Sequence, residues 1–125
     1  MLKIERTVFV VDDDAAMLRA VKRVLKESGF LAVLFNSARE LRLYNNFEQA
    51  FCIVIDIHLG DESGIALHEE LRAAGITLPV IYMTGKETTT SRAAALSSDC
   101  VAYLTKPFSA KSLIEPIQRA WTSLA

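Results

Sequence analysis

Five short apolar runs with no polar alternation divide the chain: Thr7–Val11 (TVFVV), Leu31–Phe35 (LAVLF), Cys52–Asp56 (CIVID), Val80–Thr84 (VIYMT) and residues 101–105 (VAYLT). A strand buried on both faces of a parallel sheet reads this way, because it has no wet face to alternate toward. Between the runs the period changes. Over residues 15–28, Met17, Leu18, Val21, Val24 and Leu25 recur at helical spacing, with Arg19, Lys22, Arg23 and Lys26 interleaved and Gly29 as the stop. Asp14 is the candidate cap of this surface helix. After the second run, Asn36 or Ser37 caps a short helix reaching to about residue 46. Ser63 caps a third helix containing Ile65, Leu67 and Leu71, which Gly75 ends, and His68 reads as a surface residue on it. Pro79 leads into the fourth run, where a missing N–H is tolerable. Residues 86–98 are polar at the start and small in the middle, which predicts the weakest and most mobile helix of the set. Ser109 caps a last helix that turns Leu113, Ile114, Ile117 and Trp121 inward, with Pro116 inside it to remove one backbone hydrogen bond and kink the axis.

Strands alternating with helices imply right-handed βαβ crossovers and a doubly wound α/β fold, a parallel sheet with helices on both faces. The 125 residues suit one domain over positions 1–125, large enough to bury roughly two-thirds of the unfolded surface. A hydrophobic share of 51% agrees with a sheet covered on both sides. There is no repeat, linker or low-complexity segment.

Charge narrows the partners. With 14 basic against 15 acidic residues the chain carries no basic footprint, so direct nucleic-acid binding is not expected. No stretch of ~18 apolar residues is present to span a bilayer, and the opening MLKIERTVFVVDDD has no small-residue cleavage site. The expectation is a cytoplasmic protein with no membrane role. Cys52 and Cys100 both fall in apolar segments and read as buried thiols, with no metal-binding spacing.

The informative polar residues stand at the carboxyl ends of predicted strands: Asp12 and Asp13 after the first, Asp56 after the third, Thr84 after the fourth and Lys106 after the fifth. In open α/β sheets those ends share one rim, where ligands sit at the point of reversal of strand order. Three carboxylates gathered there repel one another unless a hard divalent cation, Mg²⁺ above all, lies among their oxygens. Carboxylates holding Mg²⁺, with a lysine and a hydroxyl aimed at the same point, suit stabilisation of a transferring phosphoryl group, with Asp56 as the carboxylate nucleophile.

These residues resemble the receiver domain of two-component response regulators over nearly the whole chain. VVDD at 10–13 looks like the family's acidic pair, Asp56 is similar to its phospho-accepting aspartate, and Gly64 fits its glycine eight residues on. Thr84 and Gly85 look like the switch hydroxyl and the small residue after it, Tyr103 like the mobile aromatic, and KPF at 106–108 completes the pattern. The resemblance implies a flavodoxin-like (βα)5 fold with strand order 2-1-3-4-5. It implies that Asp13, Asp56 and the backbone carbonyl of His58 ligate Mg²⁺, with Asp12 acting through water. Lys106 and Thr84 would hold phosphoryl oxygens, Tyr103 would turn inward as Thr84 moves, and the Lys106–Pro107 peptide would be cis.

The function so implied is a phosphorylation-activated signalling switch. A histidine kinase or phosphotransfer protein supplies the phosphoryl group, and a downstream protein or fused output domain reads the result, with homodimerisation through the last helices open. Such a chain is not an enzyme in the usual sense but promotes its own aspartyl phosphorylation and dephosphorylation. This sequence departs from the family at Gly60, where proline is usual, at Asp99, where glycine is common, and at His58, whose side chain stands at the mouth of the site. Three other functions compete. A dehalogenase-like phosphatase needs a second Asp where His58 stands, and a nucleotide or flavin carrier needs a glycine-rich turn where the acids stand. A receiver-like scaffold that binds without phosphorylation would not need the intact reacting set.

Overall fold

The apolar runs form one parallel sheet in a computed structural model that describes residues 6–86 and 88–124. Its strands are β1 (Thr7–Val11), β2 (Leu31–Phe35), β3 (Cys52–Asp56), β4 (Val80–Thr84) and β5 (Ala102–Thr105), in the order 2-1-3-4-5. The helices are α1 (Ala15–Glu27), α2 (Ala38–Tyr44), α3 (Gly64–Ala73), α4 (Thr89–Ser97) and α5 (Ala110–Thr122). This is the flavodoxin-like, doubly wound arrangement expected.

Alternate residues of each strand serve two cores. Val8 and Val10 of β1, Cys52 and Val54 of β3, and Ile81 and Met83 of β4 pack with Leu18, Val21 and Leu25 of α1 and Leu113 and Ile117 of α5. Their neighbours Phe9, Val11, Ile53, Ile55 and Tyr82 face the other way, against Leu41 of α2, Leu67 and Leu71 of α3 and Ala95 of α4. Unbroken apolarity in β1 and β3 is therefore the cost of having no wet face. Burial pushes the Cys52 thiol up to about 12, which makes it an inert core residue.

The caps are where the side chains allow them. Asp14 accepts from the N–H groups of Ala16 and Met17, Ser37 from Glu40, Ser63 from Ile65 and Ala66, and Ser109 from Ser112. Gly29 and Gly75, both at φ +86°, follow the ends of α1 and α3, and Asp99 takes φ 64° before β5. α5 continues through Pro116, which is buried, and the Lys106–Pro107 peptide is cis.

Several boundaries differ from the sequence reading. α2 stops at Tyr44, since Asn45 adopts the left-handed conformation, and a 3-10 turn at Phe47–Gln49 follows. α4 begins at Thr89 because Thr88 and Ser91 close a capping box there, while Lys86 is held by Thr84. Val101 pairs with Val80 through its N–H but precedes β5. A two-residue antiparallel pair, His58–Leu59 with Glu62–Ser63, occupies the loop after β3. Arg42 of α2 fastens that loop and α3 together through Glu62 at 2.7 Å and Glu70 at 2.8 Å.

His68 corrects the surface assignment: it is 4% exposed. Gly64, Leu67, His68 and Leu71 form the inward stripe of α3 at i, i+3, i+4, i+7, so the imidazole is carried into the core beside Tyr82. Burial lowers its pKa, helped by the Arg72 charge and opposed by Asp99 and Glu69. The folded state thus favours neutral His68, and below about pH 6.5 the unfolded chain binds the extra proton. Stability is expected to fall as pH drops from 7 toward 5. A His68→Asn variant, whose amide keeps a donor toward Tyr82, should show a flatter slope in urea melts over that range.

Candidate functional site

The rim of the sheet is set by register. Val11 of β1 pairs with Ile55 of β3, so the residues that follow, Asp12 and Asp56, leave adjacent strands side by side. This is also where strand order reverses, with β2 on one side of β1 and β3 on the other. Carboxylate oxygens of Asp12, Asp13 and Asp56 all lie within 4.8 Å of one another. Asp12 is wholly buried, Asp56 is 5% exposed and Asp13 faces solvent.

Lys106 reaches this cluster from the end of β5. Its Nζ donates to Asp12 Oδ2 and to Asp56 Oδ2, each at 2.8 Å. Burial raises the pKa of Asp12, and the Asp56 charge pushes the same way against the pull of Lys106 and the Asp14 N–H. Burial also disfavours the Lys106 ammonium. Its hydrogen bonds to the two carboxylates outweigh that and leave its pKa above the ordinary value.

Backbone amides complete the set. The His58 N–H donates to Asp56 Oδ1 at 2.9 Å, Asp14 N–H to Asp12 Oδ1 at 2.9 Å, and Gly60 N–H to Asp13 Oδ2 at 3.1 Å. Gly60 can turn toward Asp13 because it adopts φ +63°. The cleft above these atoms, about 440 Å³, is lined by the acids together with His58, Gly60, Gly85, Lys86 and Lys106. At its mouth His58 Nε2 lies 3.4 Å from the Lys86 carbonyl oxygen.

An all-oxygen donor set from three carboxylates, two of them buried, fits a hard divalent cation better than a soft one. Asp13 is the most accessible ligand. Both oxygens of Asp12 and of Asp56 already accept hydrogen bonds, and each has lone pairs left for a second partner.

Thr84 and Tyr103 do not line the cleft. The buried Thr84 hydroxyl donates to the Lys86 carbonyl and accepts from the Lys86 N–H, both at 3.1 Å. Tyr103, half-buried, has a hydroxyl with no hydrogen-bond partner among the described residues and lies under the Arg92 guanidinium, 5.7 Å from its ring centre. Sequence reasoning missed Lys86 and Asp14 as lining residues. Their contribution is partly backbone, which no residue type advertises.

Gly64 is required by contact. A Cβ there would stand 2.1 Å from the Asp56 carbonyl oxygen and 2.7 Å from Ile55 Cγ2, since α3 starts directly against the end of β3. The Gly64 N–H also donates to the Ile57 carbonyl at 2.7 Å.

An acid-lined cleft with a lysine drawn into it thus lies at the switch point of a flavodoxin-like sheet, a donor set that could hold a cation. The chain belongs to the response regulator receiver domain family, whose model matches residues 8–118. It is 32% identical over 113 residues to nodulation protein W of Bradyrhizobium diazoefficiens, covering 90% of this chain and 50% of that protein. It is likewise 32% identical over 111 residues to the virulence transcriptional regulatory protein PhoP of Salmonella typhimurium, covering 89% and 50%. The chain thus spans about half the length of these curated relatives. Among solved structures, the receiver domain of the Francisella response regulator 1452 superposes with a TM-score of 0.86 at 29% identity, covering 95% of this chain and 98% of that one.

Two outcomes test the geometry. Gly64→Ala must push α3 away from Asp56 and is expected to cost about 3 kcal/mol, at the upper end of overpacking penalties, as measured by urea unfolding. Lys106→Met strands two buried carboxylates without their cation and should lower stability by about 3 kcal/mol in EDTA-containing buffer. Millimolar Mg²⁺ should recover part of the loss.

Proposed function

We propose that the protein is a phosphorylation-activated signalling switch that accepts a phosphoryl group on Asp56. The observation that carries this reading is Lys106 bonded at once to Asp12 and Asp56 beside the accessible Asp13. A carboxylate nucleophile, a cation-binding acid and a fixed ammonium meet at one point.

In the proposed reaction an Asp56 carboxylate oxygen attacks phosphorus. The new O–P bond forms as the N–P bond of a partner's phosphohistidine breaks, and the leaving imidazole keeps the bond's electron pair and takes up a proton. Asp13, Asp56 and the His58 carbonyl would hold Mg²⁺, with Asp12 acting through water, and the bound ion would supply charge neutralisation at the phosphoryl oxygens. Lys106, already donating to Asp56, redirects an Nζ–H hydrogen bond to a phosphoryl oxygen. The His58 N–H holds the carboxylate in place. His58 and Lys86 stand at the mouth of the cleft.

The signal then depends on Thr84. To reach a phosphoryl oxygen its hydroxyl must exchange the Lys86 backbone for the new acceptor, and Tyr103, whose hydroxyl is unsatisfied where it stands, moves with it. Two arrangements of α4 and β5 are thereby biased by one covalent charge. The donor would be a histidine kinase or phosphotransfer protein. The reader would be a downstream protein or an output domain on the same polypeptide, and homodimers through the last helices are one form the output can take.

Incubation with acetyl phosphate and Mg²⁺, followed by intact-mass measurement, tests the proposal. One labile phosphoryl adduct is expected on the wild type, and none on Asp56→Asn or on wild type in EDTA. Undiminished labelling of Asp56→Asn would move the acceptor elsewhere. No labelling of the wild type would favour a binding scaffold.

A further inference from the structure

Tyr82 lies on β4 two residues before Thr84, on the face covered by α3 and α4, and is fully buried. Burial pushes its phenol up to about 12, so it is a neutral hydroxyl that must find partners. Its Oη is 2.7 Å from His68 Nδ1 of α3 and 2.8 Å from Oγ of Ser98, the C-cap of α4. Counting hydrogens fixes the direction of this chain. The single Ser98 hydroxyl hydrogen goes to the Ala95 carbonyl at 2.7 Å, so Ser98 accepts from Tyr82. Tyr82 has then spent its only hydrogen and accepts from His68 Nδ1–H. Arg72, one turn beyond His68, adds an N–H to the Ser98 carbonyl at 3.3 Å. The C-terminal end of α4 is thus tied to both α3 and the sheet.

The N-terminal end of α4 is held otherwise. Its capping box, Thr88 with Ser91, is internal to the helix end, and Ala95 is the one buried residue of the helix. Arg92 rests over the ring of Tyr103. Tyr103 is the cross-strand partner of Tyr82 and shares its face of the sheet, yet its hydroxyl has no partner among the described residues. Two tyrosines therefore lie side by side beneath α4, one bonded to the end of the helix and one with its hydroxyl unsatisfied.

We infer that His68, Tyr82 and Ser98 are positioning residues that form a fixed pivot, so that α4 swings about its C-terminal end while its first turns and Tyr103 move. The force that drives the swing rests on the phosphorylation reading. The pivot itself is a property of the unmodified protein. Packing acts in the same sense, since the buried Ala95 lies in the last turn of α4, and removing the Tyr82 hydroxyl alone separates the hydrogen-bonded tie from that packing. The polarity also has a location: the moving end forms one wall of a cleft with the His58–Ser63 loop, lined by Thr88, Thr90, Ser91 and Ala94 opposite His58 and Glu62.

Residue-resolved amide hydrogen exchange on the full chain tests this in two arms. In the unmodified protein, Tyr82→Phe keeps the ring and removes the hydroxyl, and Ser98→Ala serves as the second variant. Amides 95–98 are expected to exchange about tenfold faster in both, with β1 and β3 unchanged. Unchanged exchange at 95–98, or the same acceleration throughout the protein, would overturn the pivot. In the second arm Mg²⁺ and beryllofluoride are added. Wild type should change protection at 90–94 but not at 95–98, whereas Tyr82→Phe should change at both. Equal change across 90–98 in wild type would also overturn the pivot. No change anywhere in wild type would count against the phosphorylation reading alone, and the first arm would still decide the pivot.

Discussion

One ammonium holds this site together. Asp12 and Asp56 leave neighbouring strands in register, and the sheet gives them no freedom to separate; without a cation between them their charges would oppose the closure of the rim. Lys106 resolves that by crossing from β5, where its own N–H is fixed to the Thr84 carbonyl at 2.8 Å. The same lysine therefore binds the β1, β3 and β5 ends into one rim. In the proposed switch it would also make the site responsive, because the pair energy of a buried ion cluster depends on every charge present, and a new dianionic group would compete directly for the ammonium.

The rest of the rim follows from how closely α3 approaches β3. Gly64 admits the helix start to within contact of the Asp56 backbone, which fixes the Asp56 carboxylate from behind while the His58 N–H fixes it from the front. The loop between them is held on two sides, by Asp13 on Gly60 and by Arg42 on Glu62. A glycine at position 60 in place of the family's usual proline does not leave this loop slack. Hydrogen bonds supply the restraint that a ring would otherwise give.

Opposite in character is the region around α4. It buries one alanine, its N-terminal cap is self-contained, and beneath it Tyr82 is saturated with hydrogen bonds while Tyr103 is not. A rim fixed by ion pairs and backbone hydrogen bonds beside a weakly packed helix is the distribution of stability that the proposed switch would require, since only a segment with little to lose can change its arrangement for the free energy of one charge.

How much of this was legible in the letters can be judged residue by residue. Apolar runs with no alternation gave the five strands, because burial on both faces leaves no room for polar positions, and the caps Asp14, Ser63 and Ser109 were visible because only short oxygen-bearing side chains reach the first amides of a helix. The acids and the lysine could be assigned to one rim, since parallel strands all end on the same side. What the sequence could not settle depended on partners far along the chain. His68 looked like a surface residue until α3 docked with its inward stripe against Tyr82, although its spacing from Gly64, Leu67 and Leu71 carried the signal. The attachment of Thr84 to the Lys86 backbone, the Arg42 clamp and the unpartnered hydroxyl of Tyr103 came only with the tertiary structure. Periodicity reports which face of an element is buried; which atoms meet on that face is decided by register and by the packing of elements remote in sequence.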